Sequence, residues 1–224
     1  MDRRGLKQAA LVRFGGGALV LGGLFFGTAG TFRYWEAWAF MATLFLPMGA
    51  VVFYFLRRDT GALENRLGGR EERPRQKAIV ATSSVVWMVT FLIPGLDRRF
   101  GWSSVPPILV IFADALVLAG YLLFFLTLRE NSSASRVIRV EENQQVISTG
   151  PYALVRHPMY LGMLLMLVAA PVALASWWAL LPALTTPFFL VARIRDEEQV
   201  LLAELPEYLE YTRATEYRLV PGVW

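Results

Sequence analysis

The sequence predicts an all-α protein, a polytopic transmembrane helical bundle of about six spans with a C-terminal helical tail. Three observations predict it. Hydrophobic residues make up 55% of the 224 and charged residues 18%, against about 45–50% and about 25% in a soluble domain. Uncharged runs recur at the roughly 20 residues a helix needs to cross a hydrocarbon core of about 30 Å. Lys and Arg are segregated by side of those runs. Composition also excludes several functions. Cysteine is absent and His157 is the one histidine, so a disulfide framework, a thiolate metal site and a cysteine nucleophile are excluded, and no metal site is expected. A net charge of +4 is too modest to argue for nucleic acid, and none is expected as a partner.

The spans follow in order. Phe14 to Phe32 holds 19 residues without a charge, Ala37 to Leu56 holds 20, and Ala78 to Leu96 holds 19. The first run resembles a secretory signal in its flanks, but it exceeds the roughly 7–15 residues of a signal core and reads as a retained helix. Its Gly23-Leu24-Phe25-Phe26-Gly27 has the small-xxx-small spacing that lets helices pack closely in lipid. Val105 to Leu128 is interrupted only by Asp114. An acid inside a membrane is a functional hypothesis by default; a carboxylate facing a polar group on a neighbouring helix stands beside that reading, and Asp114 is not placed in the site. The last apolar stretch, Met159 to Ala192, would measure about 51 Å as one helix at 1.5 Å per residue. It should therefore fold as a tight hairpin turning near Ala175–Trp178, the fifth and sixth spans joined almost without a loop.

Of the 22 Lys and Arg, only Arg33, Arg98 and Arg99 fall on one face. The others lie in the N-terminal tail, in 57–77, in 129–156 and after Arg193, which predicts that both termini are cytoplasmic. Segment 57–77 reads as a solvated loop near anionic headgroups. By composition the chain divides into a scaffold of four spans, 1–128, and a catalytic part, 129–224, made of a cytoplasmic loop, the hairpin and the tail. Within that loop, 136–149 reads as a short extended hairpin.

Chemistry concentrates in the second part. Gly150-Pro151-Tyr152 leads into Arg156-His157-Pro158-Met159-Tyr160-Leu161-Gly162. Pro158 suits the first turn of a helix, which puts Arg156 and His157 at its positive end, where an anion would be held. The sixth span leaves through Arg193-Ile194-Arg195-Asp196-Glu197-Glu198. Pro206 ends it, and Tyr208 to Tyr211 begin an amphipathic turn. A hairpin without a loop brings its two ends side by side. A cationic lip (Arg156, His157, with Tyr160) then faces an acidic lip (Glu197, Glu198). Carboxylates and aromatic faces suit a cation and Arg156 suits a carboxylate, a charge match to S-adenosyl-L-methionine.

The ordered set G-P-Y-x-x-x-R-H-P-x-Y-x-G, an apolar hairpin, R-I-x-x-E-E, then E-Y-x-x-Y and Y-R-L-x-P resembles the isoprenylcysteine carboxyl methyltransferase / phospholipid methyltransferase family of integral membrane enzymes over about residues 131–221. The resemblance implies an S-adenosyl-L-methionine pocket at the cytoplasmic mouth of the hairpin, with a lipid-linked or small hydrophobic acceptor arriving from the bilayer. By position it implies cofactor contacts from Tyr152, His157, Tyr160, Gly162, Glu197, Glu198, Tyr208, Tyr211 and Arg218, with Arg156 near the reacting group. Leu205-Pro206 departs from the family pattern before the E-Y-x-x-Y run. Methyl transfer needs alignment of donor and acceptor rather than a covalent nucleophile. A carboxylate acceptor requires no base and Arg156 would orient it; an amine acceptor would need one, with Glu198 the candidate. Both remain open. The alternative is an NADPH-dependent sterol- or steroid-type membrane reductase, which shares the R-H-P-x-Y-x-G region but differs where this chain has Met159, Met163 and Glu197-Glu198.

Overall fold

The computed structural model describes residues 3–67, 73–131 and 145–224, and every regular element among them is helical. In chain order these are α1 (Arg3–Ala29), α2 (Trp35–Arg58), α3 (Thr60–Leu67), α4 (Pro74–Phe100), α5 (Pro107–Glu130), a single 3₁₀ turn (Gly150–Ala153), α6 (Pro158–Ala173), α7 (Leu180–Ala183), α8 (Thr186–Glu204) and α9 (Tyr208–Ala214). The short extended hairpin expected over 136–149 falls mostly on 132–144, outside the described residues.

Among the described residues four helices are long and apolar enough to cross a membrane: Gly5–Ala29, Trp35–Arg58, Pro74–Phe100 and Pro107–Glu130. Their outward faces carry Leu19, Leu46, Phe53, Val85, Ile108 and Phe112, all exposed. So much apolar surface is a lipid-facing surface, and the protein is an integral, multi-pass membrane protein. The fifth and sixth spans expected from the sequence fall on α6 and on α7 with α8, which are shorter or more polar than these four. α6 has 16 residues, about 24 Å at 1.5 Å per residue, short of a hydrocarbon core of about 30 Å. The connection from α6 to α8 is also longer than the near loop-less turn expected, running from Leu174 to Thr185 through the short α7.

Polar clasps account for that connection. The chain reverses at Ala175, whose φ of 56° is left-handed. Ser176, fully buried, donates to Asp97 Oδ2 on α4 at 2.5 Å. The same carboxylate accepts the Ser103 amide and hydroxyl, each at 2.6 Å. Tyr34 donates to the Leu174 carbonyl at 2.5 Å. These bonds fasten the turn to the end of α4.

Packing is tightest where side chains are absent. A Cβ on Gly120 would lie 2.6 Å from the Gly162 carbonyl oxygen, and one on Gly162 would lie 2.7 Å from that of Gly120. α5 and α6 therefore meet backbone to backbone, the use lipid-embedded helices make of glycine. Gly95 on α4 meets α1 in the same way, at Thr28 and the Phe25 carbonyl. The small-xxx-small pair Gly23 and Gly27 does not serve this purpose: both are exposed, with nothing within 4 Å of an added Cβ. Asp114 is half-buried on α5, beside Thr43 of α2.

Two apolar cores divide the bundle lengthwise. One gathers Phe25, Tyr34, Phe40, Val117, Ala170 and Leu174. The other gathers Leu6, Phe55, Ala62, Leu63, Leu128 and Met159. The second shows which termini share an end of the molecule: the start of α1, the end of α2, α3, the end of α5 and the start of α6. It also revises the reading of 57–77 as a solvated loop. That segment contains α3, with Ala62 and Leu63 buried, and the first turn of α4. The polar site stands at this end.

Candidate active site

The approach to α6 fixes the basic lip. Gly150 takes φ 57°, a left-handed value that glycine adopts without a Cβ penalty, and opens the 3₁₀ turn. The chain then bends through Arg156 and His157. Their amides donate to the carbonyls of Tyr217 and Arg218, each at 2.9 Å. Pro158 follows as the first residue of α6, as its missing N–H allows. The C-terminal tail is thus paired along the basic lip.

The acidic lip is three successive residues of α8. Neighbours on a helix point about 100° apart, and the three carboxylates go three ways. Asp196 turns to α4, where Gln76 Nε2 donates to it at 2.5 Å and Arg73 approaches to 3.3 Å. Glu197 turns to α6 and accepts the Tyr160 hydroxyl at 2.6 Å. Glu198 turns to the tail: its Oε1 lies 3.0 Å from Arg156 Nη1 and 3.5 Å from His157 Nε2, and its Oε2 accepts Arg218 Nε at 2.7 Å. Burial pushes the Glu198 carboxyl up, but hydrogen bonds and charge from His157 and Arg218 outweigh it and hold the group at about 2.

The two lips therefore meet, and the structure brings Arg156, His157, Tyr160, Glu197, Glu198, Tyr208 and Arg218 together. His157 and Tyr160 stack with ring centroids 5.7 Å apart. Among the described residues the Tyr208 hydroxyl is buried here without a hydrogen-bond partner, and His157 Nε2 has only the long 3.5 Å approach of Glu198 Oε1. Unsatisfied buried polar atoms are costly. At a helix start ringed by carboxylates and aromatic rings, they mark where a polar ligand would bond. Burial, with Glu198 and Glu197 nearby, raises the Tyr208 hydroxyl well above the usual tyrosine range, so it stays protonated and able to donate.

Other expected roles change on inspection. Arg156 is spent on the tail: Nε donates to the Thr215 carbonyl at 2.7 Å, and Nη2 to those of Glu216 at 2.9 Å and Thr212 at 3.3 Å. With Glu198 added, four bonds hold a nearly buried guanidinium and clamp the tail. Glu198, the candidate base, is engaged by Arg156, His157 and Arg218, whose hydrogen bonds and charge favour its ionised form. Gly162 faces Gly120 in the α5–α6 seam rather than the polar mouth. The Tyr211 hydroxyl donates to the Tyr152 carbonyl at 2.8 Å, and the Tyr152 hydroxyl accepts from Asn131 at 3.2 Å. These two tyrosines tie the tail to the 3₁₀ turn.

Sequence reasoning missed Gln76 and the part Arg193 plays beside it. Arg193 Nε donates to the Tyr160 hydroxyl at 2.8 Å and Nη1 to Gln76 Oε1 at 3.2 Å. No local pattern marks Gln76, which lies 120 residues from Asp196.

Four membrane-length helices among the described residues, with a charged, aromatic mouth at one end of a shorter helix pair, define a class: integral membrane proteins with a polar site at one end of the bundle. The phospholipid methyltransferase family model matches residues 108–205, from α5 through α8. The match takes in the R-H-P-x-Y-x-G and R-I-x-x-E-E motifs. The cobalt-zinc-cadmium resistance protein CzcN of Cupriavidus metallidurans is 36% identical over 76 residues, covering 33% of this chain and 35% of that protein; the match spans about a third of the curated relative's length. The solved eukaryotic intramembrane Ras methyltransferase, isoprenylcysteine carboxyl methyltransferase, superposes with a TM-score of 0.51 over 97% of this chain and 98% of that one, at 14% identity. That likeness shows a shared fold.

Proposed function

We propose that the protein is an S-adenosyl-L-methionine-dependent methyltransferase acting on a lipid-linked or small hydrophobic acceptor at the cytoplasmic membrane face. The observation that carries this reading is the buried, unpartnered Tyr208 hydroxyl beside Glu197 and Glu198, at the mouth where His157 and the start of α6 also stand. These residues fit the cofactor. Tyr208, His157 and the α6 start offer bonds to its polar end, Tyr160 and Tyr208 offer aromatic faces, and Glu197 offers negative charge toward a cation. When bound, the cofactor supplies an electrophilic methyl group.

The chain's own residues then position and exclude. Arg156 and Arg218 pin the tail across the mouth through Glu198, and Tyr211 pins it to the 3₁₀ turn, which keeps water from the reacting groups. Holding reactants at near-attack distance supplies about 7–11 kcal/mol of barrier reduction. Because Glu198 stays ionised and paired, the site favours an acceptor that arrives already deprotonated, as a carboxylate does. The lipid-facing walls beside the mouth leave a lateral route for an acceptor's tail. The excess of Lys and Arg at this end supports a cytoplasmic face. An NADPH-dependent membrane reductase is not favoured, because the matched family is one of methyltransferases.

Membranes containing the protein, incubated with methyl-labelled S-adenosylmethionine, should yield a labelled lipid-phase product by mass spectrometry. NADPH-dependent reduction of a lipid with no label transfer would overturn the reading.

A further inference from the structure

Gln76 is a buried polar residue that the cofactor pocket itself does not explain. It lies in the first turns of α4, outside the segment matched to the family, and is fully buried. Its Nε2 donates to Asp196 Oδ2 at 2.5 Å, and its Oε1 accepts from Arg193 Nη1 at 3.2 Å. The amide can sit only this way round, since a carboxylate only accepts and a guanidinium only donates.

The consequence passes to Tyr160. Arg193 and Asp196 are three residues apart on α8, the spacing at which opposite charges on a helix pair directly. Gln76 is wedged between them. Kept off Asp196, Arg193 reaches Tyr160 with Nε at 2.8 Å and lies over its ring at 5.9 Å. That bond occupies a lone pair of the hydroxyl and leaves its proton for Glu197 Oε2 at 2.6 Å. Four bonds thus run from Asp196 through Gln76, Arg193 and Tyr160 to Glu197. Asp196 is held from its other side by Arg73 at 3.3 Å and the more exposed Arg75 at 3.9 Å.

We infer that Gln76 is a positioning residue for the cofactor wall: wedged between Asp196 and Arg193, it fixes Tyr160 as the donor to Glu197 and so sets the pocket's affinity for a cationic ligand end. The inference rests on the S-adenosyl-L-methionine reading. It adds that the N-terminal scaffold reaches into the site.

Three variants test it in the full chain, purified in detergent. Gln76→Met keeps length and removes both bonds. Gln76→Glu keeps the acceptor for Arg193 but sets two carboxylates face to face. Gln76→Glu with Asp196→Asn moves the charge to the other partner and restores a donor–acceptor pair. Calorimetry with S-adenosylhomocysteine is read beside the ligand-free melting temperature and the KM of each substrate. Gln76→Met and Gln76→Glu should each weaken binding about tenfold, the loss of roughly one charge-assisted bond. The KM for the methyl donor should rise while that for the acceptor holds, and the double variant should recover affinity to within about threefold of wild type. A purely structural role would lower melting temperature without separating the two KM values. Wild-type affinity in Gln76→Met, or a double variant as weak as Gln76→Glu, overturns the inference alone. A wild-type protein that binds no S-adenosylhomocysteine overturns the cofactor reading and this inference with it.

Discussion

Replacing Arg156 with lysine separates a tail clamp from a substrate-orienting group. The guanidinium makes three bonds to the carbonyls of Thr215, Glu216 and Thr212 and one to Glu198. Lysine keeps the charge, so the buried carboxylate is not stranded, but its single ammonium can hold Glu198 and about one carbonyl. Two charge-assisted bonds are lost, at about 1.5 kcal/mol each on the low side. The tail should therefore open about 3 kcal/mol more easily, about a hundredfold in the opening equilibrium. Hydrogen–deuterium exchange of peptides covering 153–160 and 215–224 reads this directly. The amides of Arg156 and His157 bond to the tail, and those of Arg218, Leu219 and Val220 bond to the Trp224 carbonyl. Exchange there should rise one to two orders of magnitude, with the long helices unchanged. Wild-type protection at both segments, together with a collapse in methyl transfer, would refute the clamp and return Arg156 to the acceptor.

Three further outcomes are expected. Glu198 is depressed from 4.5 to about 2, so its stabilisation is complete above pH 4.5 and is lost as pH falls toward 2; tail protection, worth on the order of 2 kcal/mol after solvent screening, should fade across that window, and Glu198→Gln should flatten the profile. Gly162→Ala sets a Cβ 2.7 Å from the Gly120 carbonyl oxygen, so the melting temperature should fall by the equivalent of about 1–3 kcal/mol; intact stability with lost cofactor affinity would instead place Gly162 in the pocket. A cysteine at the exposed Trp178 should react with an impermeant reagent from outside the cell, whereas one at Thr149 should not; the reverse pattern would invert the orientation.

Much of this organisation was legible from charge spacing alone. The uncharged runs placed the four long helices, Pro158 marked where α6 begins, and the requirement that both ends of the last helix pair share a face brought the basic and acidic lips together. What escaped has physical causes. A three-in-a-row acidic cluster reads as one patch, yet the 100° step of a helix sends Asp196, Glu197 and Glu198 to α4, α6 and the tail. The partners of Arg156 are backbone carbonyls, which carry no residue signature. Gly23 and Gly27 have a packing spacing, but spacing does not say which face of α1 meets α4, and Thr28 against Gly95 makes that contact. The tight turn after α6 became a longer connection because Ser176 is bound to Asp97. Gln76 has no sequence pattern, since its meaning comes from two α8 residues more than a hundred positions away.

In the proposed function the mouth of the α6–α8 pair holds the methyl donor through His157 and its neighbours. The most direct measurement is calorimetry of S-adenosylhomocysteine and of NADPH with purified wild type and His157→Ala, both checked for folding by thermal melting. Binding of S-adenosylhomocysteine and not NADPH by the wild type, lost in the folded His157→Ala protein, is the expected result. Preference for NADPH, or undiminished S-adenosylhomocysteine affinity in the variant, would contradict it.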